Sequence, residues 1–267
     1  MLQNLDFKGK TALIMGASRG IGLATGQTLA SYGAEVVLAG RNNQTIGARA
    51  ESMRTQGYLA HAVECDVSIY SSVKSAVDQA VGVTGRIDIL VNNAGVIEPL
   101  AHLVDSDPEL WGYAADVNYK GVYHGMRAAI PLMLGQGGGI VVNMSSGAAN
   151  SALPGWSHYC SNKAAAKKLT EVAHNELSGS GIRIVGLSPG TVATAFMEKI
   201  RDARINVVSN LDWDTHIPPD WAAEAVAFLC GPDGGEFAGK DFSIKTRDGR
   251  ARVGLPDDSA PEKRNSQ

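Results

Sequence analysis

The chain has 267 residues, of which 44% are hydrophobic and 19% charged, with a formal net charge of -3. That length and apolar content suit one large α/β domain with its own core better than two small ones. Charges of both signs are scattered along the chain, which excludes the basic stripe of a nucleic-acid binder and the polybasic face of a membrane-surface protein. No apolar run approaches the roughly 18 residues of a membrane span, and the opening residues lack the charged-then-apolar order of a secretion signal, so a cytoplasmic protein is expected. Cys65, Cys160 and Cys230 are odd in number and far apart, which supports neither a disulfide framework nor a metal site.

Short β-branched runs alternate with longer helical patterns, the signature of a parallel sheet with helices on both faces. The pattern predicts strands at 11–15, 35–39, 59–64, 87–92, 139–144 and 182–187, with a weaker seventh at 242–245. Helical stretches fall near 20–31, 43–56, 69–83, 107–133, 158–178 and 220–230.

Directly after the first strand come Gly16, Ser18, Arg19, Gly20, Ile21 and Gly22, opening a helix. The glycines permit a tight turn and let backbone N–H groups approach a pyrophosphate at the positive end of the helix dipole. Their spacing is G-x-x-x-G-x-G and not the commoner G-x-G-x-x-G, so only the mechanism of that fingerprint carries over. Roughly 20 residues on, an acid would be needed to bind the adenosine ribose 2′-hydroxyl, but the chain reads Ala39, Gly40, Arg41, Asn42. Arg41 and Arg19 can instead engage a 2′-phosphate through charge-assisted hydrogen bonds, which favours NADP(H) over NAD(H).

Further along, Ser106 to Glu109 has the form of a capping box, with Pro108 tolerated in the first turn. Tyr159 and Lys163 are four apart and share one face of their helix, with Ser146 thirteen residues upstream of the tyrosine at a strand end. An ammonium beside the phenol would lower its pKa from about 10 toward a range useful for proton exchange. His158 points about 100° away from Tyr159 and reads as a neighbour, and Cys160 reads as a packing thiol. The stretch 191–220 lacks strand periodicity, and a connection that long reads as a substrate lid. Phe196, Met197, Ile205 and Trp213 are its apolar candidates for covering a ligand. The domain is expected to span 1–250, with 251–267 as a tail that turns polar and loose from residue 256.

Gly16-x-x-x-Gly20-x-Gly22, Asn92-Asn93-Ala94-Gly95, Asn118, Ser146, Tyr159-x-x-x-Lys163 and Pro189-Gly190-Thr191-Val192-Ala193-Thr194 follow one another in this order. On these motifs the chain resembles the short-chain dehydrogenase/reductase family over residues 6–250. The resemblance implies a single-domain Rossmann-type doubly wound sheet of about seven parallel strands, with NADP(H) lying across their carboxyl ends. It assigns Tyr159 as the proton donor to a ketone oxygen, or the base in reverse. Lys163 would lower the tyrosine's pKa and bind the nicotinamide ribose, Ser146 would polarise the carbonyl, and Asn118 would anchor a water that extends the relay. Asp66 and Val67 would contact adenine, while Asn93, Ala94 and Gly95 would line the adenosine ribose. Pro189, Gly190, Val192 and Thr194 would fix the nicotinamide carboxamide. A homo-oligomer, tetramer or dimer, is implied as well. Met15 departs from the family's usual Thr, and 239–249 follows its last strand only loosely.

The expected activity is NADPH-dependent reduction of a ketone or aldehyde. Ser151, Leu153, Trp156, Val192, Phe196 and Met197, none of them charged, are the pocket candidates. A 3-oxoacyl-[acyl-carrier-protein] reductase is the enzyme alternative, but an acidic carrier wants a basic docking surface, and the connection before the serine-bearing strand is Gly135-Gln-Gly-Gly-Gly139. A catalytically silent NADP-sensing protein is the other, and it would be expected to lose part of a tetrad that is here complete.

Overall fold

Runs rich in Val, Ile and Leu form short strands buried on both faces, as strands flanked by helices on either side must be. In this computed structural model, which describes residues 5–257, the strands are β1 (Thr11–Met15), β2 (Glu35–Gly40), β3 (Ala60–Glu64), β4 (Ile89–Asn92), β5 (Gly139–Met144), β6 (Ile182–Ser188) and β7 (Asp241–Ser243). They pair in the order β3-β2-β1-β4-β5-β6-β7, every pair parallel. Alternation along β1 sends Leu13 to one core and Ile14 to the other. The first core also takes Val77, Leu90 and Met133, and the second takes Leu29, Leu38 and Phe228. The strand order reverses between β1 and β4, and the crevice outside their carboxyl ends is where an open α/β sheet binds ligands.

Helices α1 (Gly20–Ser31), α2 (Asn43–Arg54) and α3 (Tyr70–Thr84) follow the first three strands. The single helix predicted at 107–133 is instead α4 (Pro108–Ala115) and α5 (Gly121–Gly135), joined by the π-helical turn Asp116–Lys120. Its start also differs from the expected capping box. Asp107, immediately before Pro108, is the cap, its carboxylate accepting from the Glu109 and Leu110 N–H groups at 2.8 and 3.0 Å, while Ser106 donates to the Leu103 carbonyl.

Helix α6 (Ser157–Glu176) carries the Tyr-Lys pair, and α8 (Pro219–Cys230) packs against α1. Within 191–220 the chain forms α7 (Ala195–Ala203) and two single 3-10 turns. The boundary expected after residue 250 falls inside α9 (Arg247–Val253), capped by the Thr246 side chain and anchored by buried Val253. A helix of seven mostly polar residues carries too little apolar periodicity to show in the sequence. Residues 258–267 of the expected tail lie outside the described residues.

Candidate active site

A cavity of about 1460 Å³ opens at the carboxyl ends of the strands, and every catalytic, cofactor and pocket residue predicted from the sequence lines it except Gly22 and Asn118. Those two act from behind the wall. Gly16 has φ 79°, and a Cβ on it would sit 2.7 Å from Ala94 Cα. A Cβ on Gly22 would sit 2.3 Å from the Gly16 carbonyl and 2.5 Å from Asn93 Nδ2. The Asn93 amide donates to that same carbonyl at 2.9 Å, tying the glycine turn to the end of β4. Arg19 precedes α1 without a side-chain cap, so the helix presents its first N–H groups toward the cavity. A turn with no room for side chains at the positive end of a helix fits a dinucleotide pyrophosphate.

At one end of the cavity lie Ser18, Arg19, Arg41, Asp66 and Val67. Arg41 Nη1 donates to the Tyr113 hydroxyl at 2.6 Å. Asp66 Oδ1 accepts from the Ser68 N–H at 3.0 Å and from its hydroxyl at 2.6 Å, which orders the segment after β3. Leu110, Tyr113 and Val117 face these groups and were not read from the sequence. Their spacing of three and four residues was the available signal.

At the other end, the residues closing β5 converge with α6. Lys163 Nζ donates to the Met144 carbonyl at 2.6 Å, Ser145 donates to Asp241 Oδ2 at 3.0 Å, and the Ser146 hydroxyl accepts from the Ala148 N–H at 3.2 Å. Tyr159 is buried, with Trp156 edge-on at 5.6 Å between ring centroids and Phe196 at 5.7 Å. Burial pushes its phenol up to about 12, and a hydrogen bond with Ser146 works against that rise. Burial also pushes the Lys163 ammonium down to about 8, opposed by the charge of Asp241.

The expected lowering of the tyrosine's pKa by the lysine is therefore not found. The ammonium stands 5.7 Å from the ring centroid and is bound to a main-chain carbonyl, so desolvation dominates the phenol.

Asn118 sits on the π turn, fully buried. Its Oδ1 accepts from the Val96 N–H at 2.9 Å and its Nδ2 donates to the Val96 carbonyl at 2.8 Å, so the side chain latches the segment that follows β4. His158 is buried with Nε2 2.7 Å from the Ile97 carbonyl and does not reach the cavity.

Ser151, Leu153, Trp156, Val192, Phe196 and Met197 line the chamber beside Tyr159, joined by Ile200, Val207, Val208 and Leu211. Ile205 and Trp213, expected to cover a ligand, are absent from its lining. They pack against the small apolar cluster that includes Trp156, Met197 and Ile200, Ile205 also against Gly155 and Trp213 against the Arg201 guanidinium at 5.1 Å. Charge is also present where only uncharged residues were expected. Glu98, Lys199, Lys245 and Arg250 contribute to the wall, with Lys199 paired to Glu98 and Arg250 bound to the Ile244, Lys245 and Asp257 carbonyls. Among the described residues, no cluster of three or more His, Cys, Asp or Glu could hold a metal ion, and no helix is long and apolar enough to cross a membrane.

A family model described as short chain dehydrogenase matches residues 10–205. The chain is 39% identical over 193 residues to oxidoreductase UcpA of Salmonella typhimurium, covering 72% of this chain and 73% of that one. It is 31% identical over 246 residues to the 3-oxoacyl-[acyl-carrier-protein] reductase FabG of Thermotoga maritima, covering 90% and 98%. Among solved structures, a gluconate 5-dehydrogenase from Burkholderia cenocepacia in complex with NADP and tartrate superposes with TM-score 0.83 at 29% identity, covering 90% and 95%. An NAD+-bound xylitol dehydrogenase superposes with TM-score 0.82 at 28% identity, covering 89% and 98%.

Proposed function

This chain belongs to the short-chain dehydrogenase/reductase family, and from that premise we propose that it is an NADPH-dependent oxidoreductase that reduces a ketone or aldehyde to an alcohol, reversibly. The observation that carries the reading is one cavity with Ser146, Tyr159 and Lys163 at one end and an uncapped glycine turn with two arginines at the other. When bound, the nicotinamide supplies the hydride.

The protein's own groups handle the substrate oxygen and its proton. Tyr159, whose phenol is protonated at neutral pH and held more firmly so by burial, gives its proton to the oxygen as the carbonyl carbon is reduced. Ser146, whose hydroxyl works against the rise in the phenol's pKa, holds the oxygen in place. Lys163, a buried ammonium with a pKa near 8, would hold the nicotinamide ribose when the cofactor binds and feed the proton relay that ends at the tyrosine. Asn118 keeps the segment after β4 in register and anchors the water that connects Lys163 to solvent. Leu153, Trp156, Phe196 and Met197 give the chamber its preference for a largely apolar substrate, and residues 191–220 act as its lid. The same reading places the protein in the cytoplasm as a homo-oligomer.

The likeness to a 3-oxoacyl-[acyl-carrier-protein] reductase favours a second reading. Against it, the segment before β5 is uncharged. A panel of free ketones and aldehydes, set beside a 3-oxoacyl carrier thioester and assayed for consumption of NADPH and NADH, separates the two. Turnover of free carbonyls with NADPH supports the proposal. Turnover of the carrier thioester alone selects the second reading, and no turnover of any substrate sinks both.

A further inference from the structure

The end of the cavity away from Tyr159 holds a contact that the family motifs do not explain. Arg41, just past β2, and Tyr113, on α4, are 72 residues apart and meet with a guanidinium to hydroxyl distance of 2.6 Å. Both line the cavity, and Leu110, Tyr113 and Val117 form one face of the helix toward Arg41, Asp66 and Val67. The partner is neutral. A carboxylate in its place would cancel the charge of Arg41 and compete with an incoming anion, and among the described residues no acidic side chain pairs with this arginine.

We propose that Tyr113 is a specificity-determining residue for the cofactor, holding Arg41 in place at the adenosine 2′-position and donating its own hydroxyl proton to a 2′-phosphate there. The inference rests on the NADPH reading above. The chemistry follows from the donor inventory. A guanidinium has five N–H donors, so one spent on the phenol oxygen leaves four for phosphate oxygens, while the phenol keeps its O–H as a donor. A flexible arginine that is fixed before binding loses less freedom when the anion arrives, and that saving appears as affinity. Neither gain is available to a cofactor without the 2′-phosphate.

The test compares 2′,5′-ADP with 5′-AMP, two ligands that differ only by the 2′-phosphate, binding by calorimetry to the parent and to Tyr113→Phe. The substitution keeps the ring and its packing. Loss of one hydrogen bond to a charged group should weaken 2′,5′-ADP by about 10- to 150-fold, with 5′-AMP changed by less than about 2-fold. In an Arg41→Met background the same substitution should cost 2′,5′-ADP distinctly less, because the two side chains act as a unit.

Equal affinities of the parent for the two ligands would overturn the NADPH reading and this inference with it. A parent that prefers 2′,5′-ADP while Tyr113→Phe leaves that preference unmoved, or weakens both ligands alike, would overturn the role of Tyr113 alone.

Discussion

Lys163 donates its ammonium to the Met144 carbonyl at 2.6 Å and stands 5.7 Å from the centre of the Tyr159 ring. The lysine is thereby fastened to the strand whose end carries Ser146, and its cation is held where burial disfavours it. Its pKa falls from the ordinary lysine value of 10.5 to about 8. Between those values the unfolded chain binds the proton that the folded one has released, so the folded state gains stability as pH rises through that window. Lys163→Met lacks the effect. Relative to this variant, the parent should gain on the order of 3 kcal/mol between pH 7 and pH 10.5. Urea unfolding of both proteins at the two pH values measures it, and a difference that stays constant with pH would show that the buried lysine does not titrate in this range.

Tyr159→Phe removes the transferable proton and keeps the ring that packs on Trp156 and Phe196. Turnover should fall by at least ~100-fold, the lower end of what a general acid contributes, with NADPH affinity nearly unchanged. Activity within a few-fold of the parent would take the phenol out of the proton transfer.

Asn118→Ala would leave both the N–H and the carbonyl of Val96 without their side-chain partner inside the protein. Both bonds are part-buried, and their loss should cost about 1 to 3 kcal/mol. Because Ala94 and Gly95 belong to the same segment, cofactor affinity should fall as well. Chemical denaturation together with NADPH titration reads both effects. A variant as stable as the parent would mean that water replaces the amide at no cost.

Substituting Arg19 and Arg41 together by neutral residues should lower NADPH affinity more than a hundredfold and leave NADH almost untouched, since each charged hydrogen bond contributes about 1.5 to 3 kcal/mol. The ratio of catalytic efficiencies with the two cofactors is the measurement, and a ratio unmoved by the double substitution would remove both arginines from the 2′-phosphate site. Supplying the missing acid at Gly40 is not a clean reversal. A Cβ there lies 2.9 Å from Cγ2 of Ile46, a stiff β-branched side chain that is fully buried, so Gly40→Asp should destabilise the protein.

What could be read from the sequence was local. Strand β5 follows from the β-branched run Ile140 to Val142 after the glycines, and the glycine turn follows from spacing alone. Strand β4 starts two residues later than its apolar pattern, just after Asp88, whose carboxylate takes the Thr11 N–H, Lys10 and Arg86. The π turn was invisible, since widening one helical turn changes no propensity. Long-range consequences were hidden for a different reason. Spacing places Tyr159 beside Lys163 but says nothing of how deeply the phenol is buried, and no pattern joins Arg41 to Tyr113. Likewise Ile205 and Trp213 are apolar in the right segment, yet only packing decides whether such a side chain faces a ligand or the protein interior.

The pair between Lys199 on α7 and Glu98 after β4 gives the chamber a further property. Both side chains remain close to half exposed, and a pair of that kind is worth about 0 to 1 kcal/mol. An exposed pair this weak is weakened further by added salt. Added salt therefore loosens the wall of the chamber while leaving the buried proton-transfer groups unaltered, so ligand residence times should shorten with rising ionic strength even where the chemical step does not change.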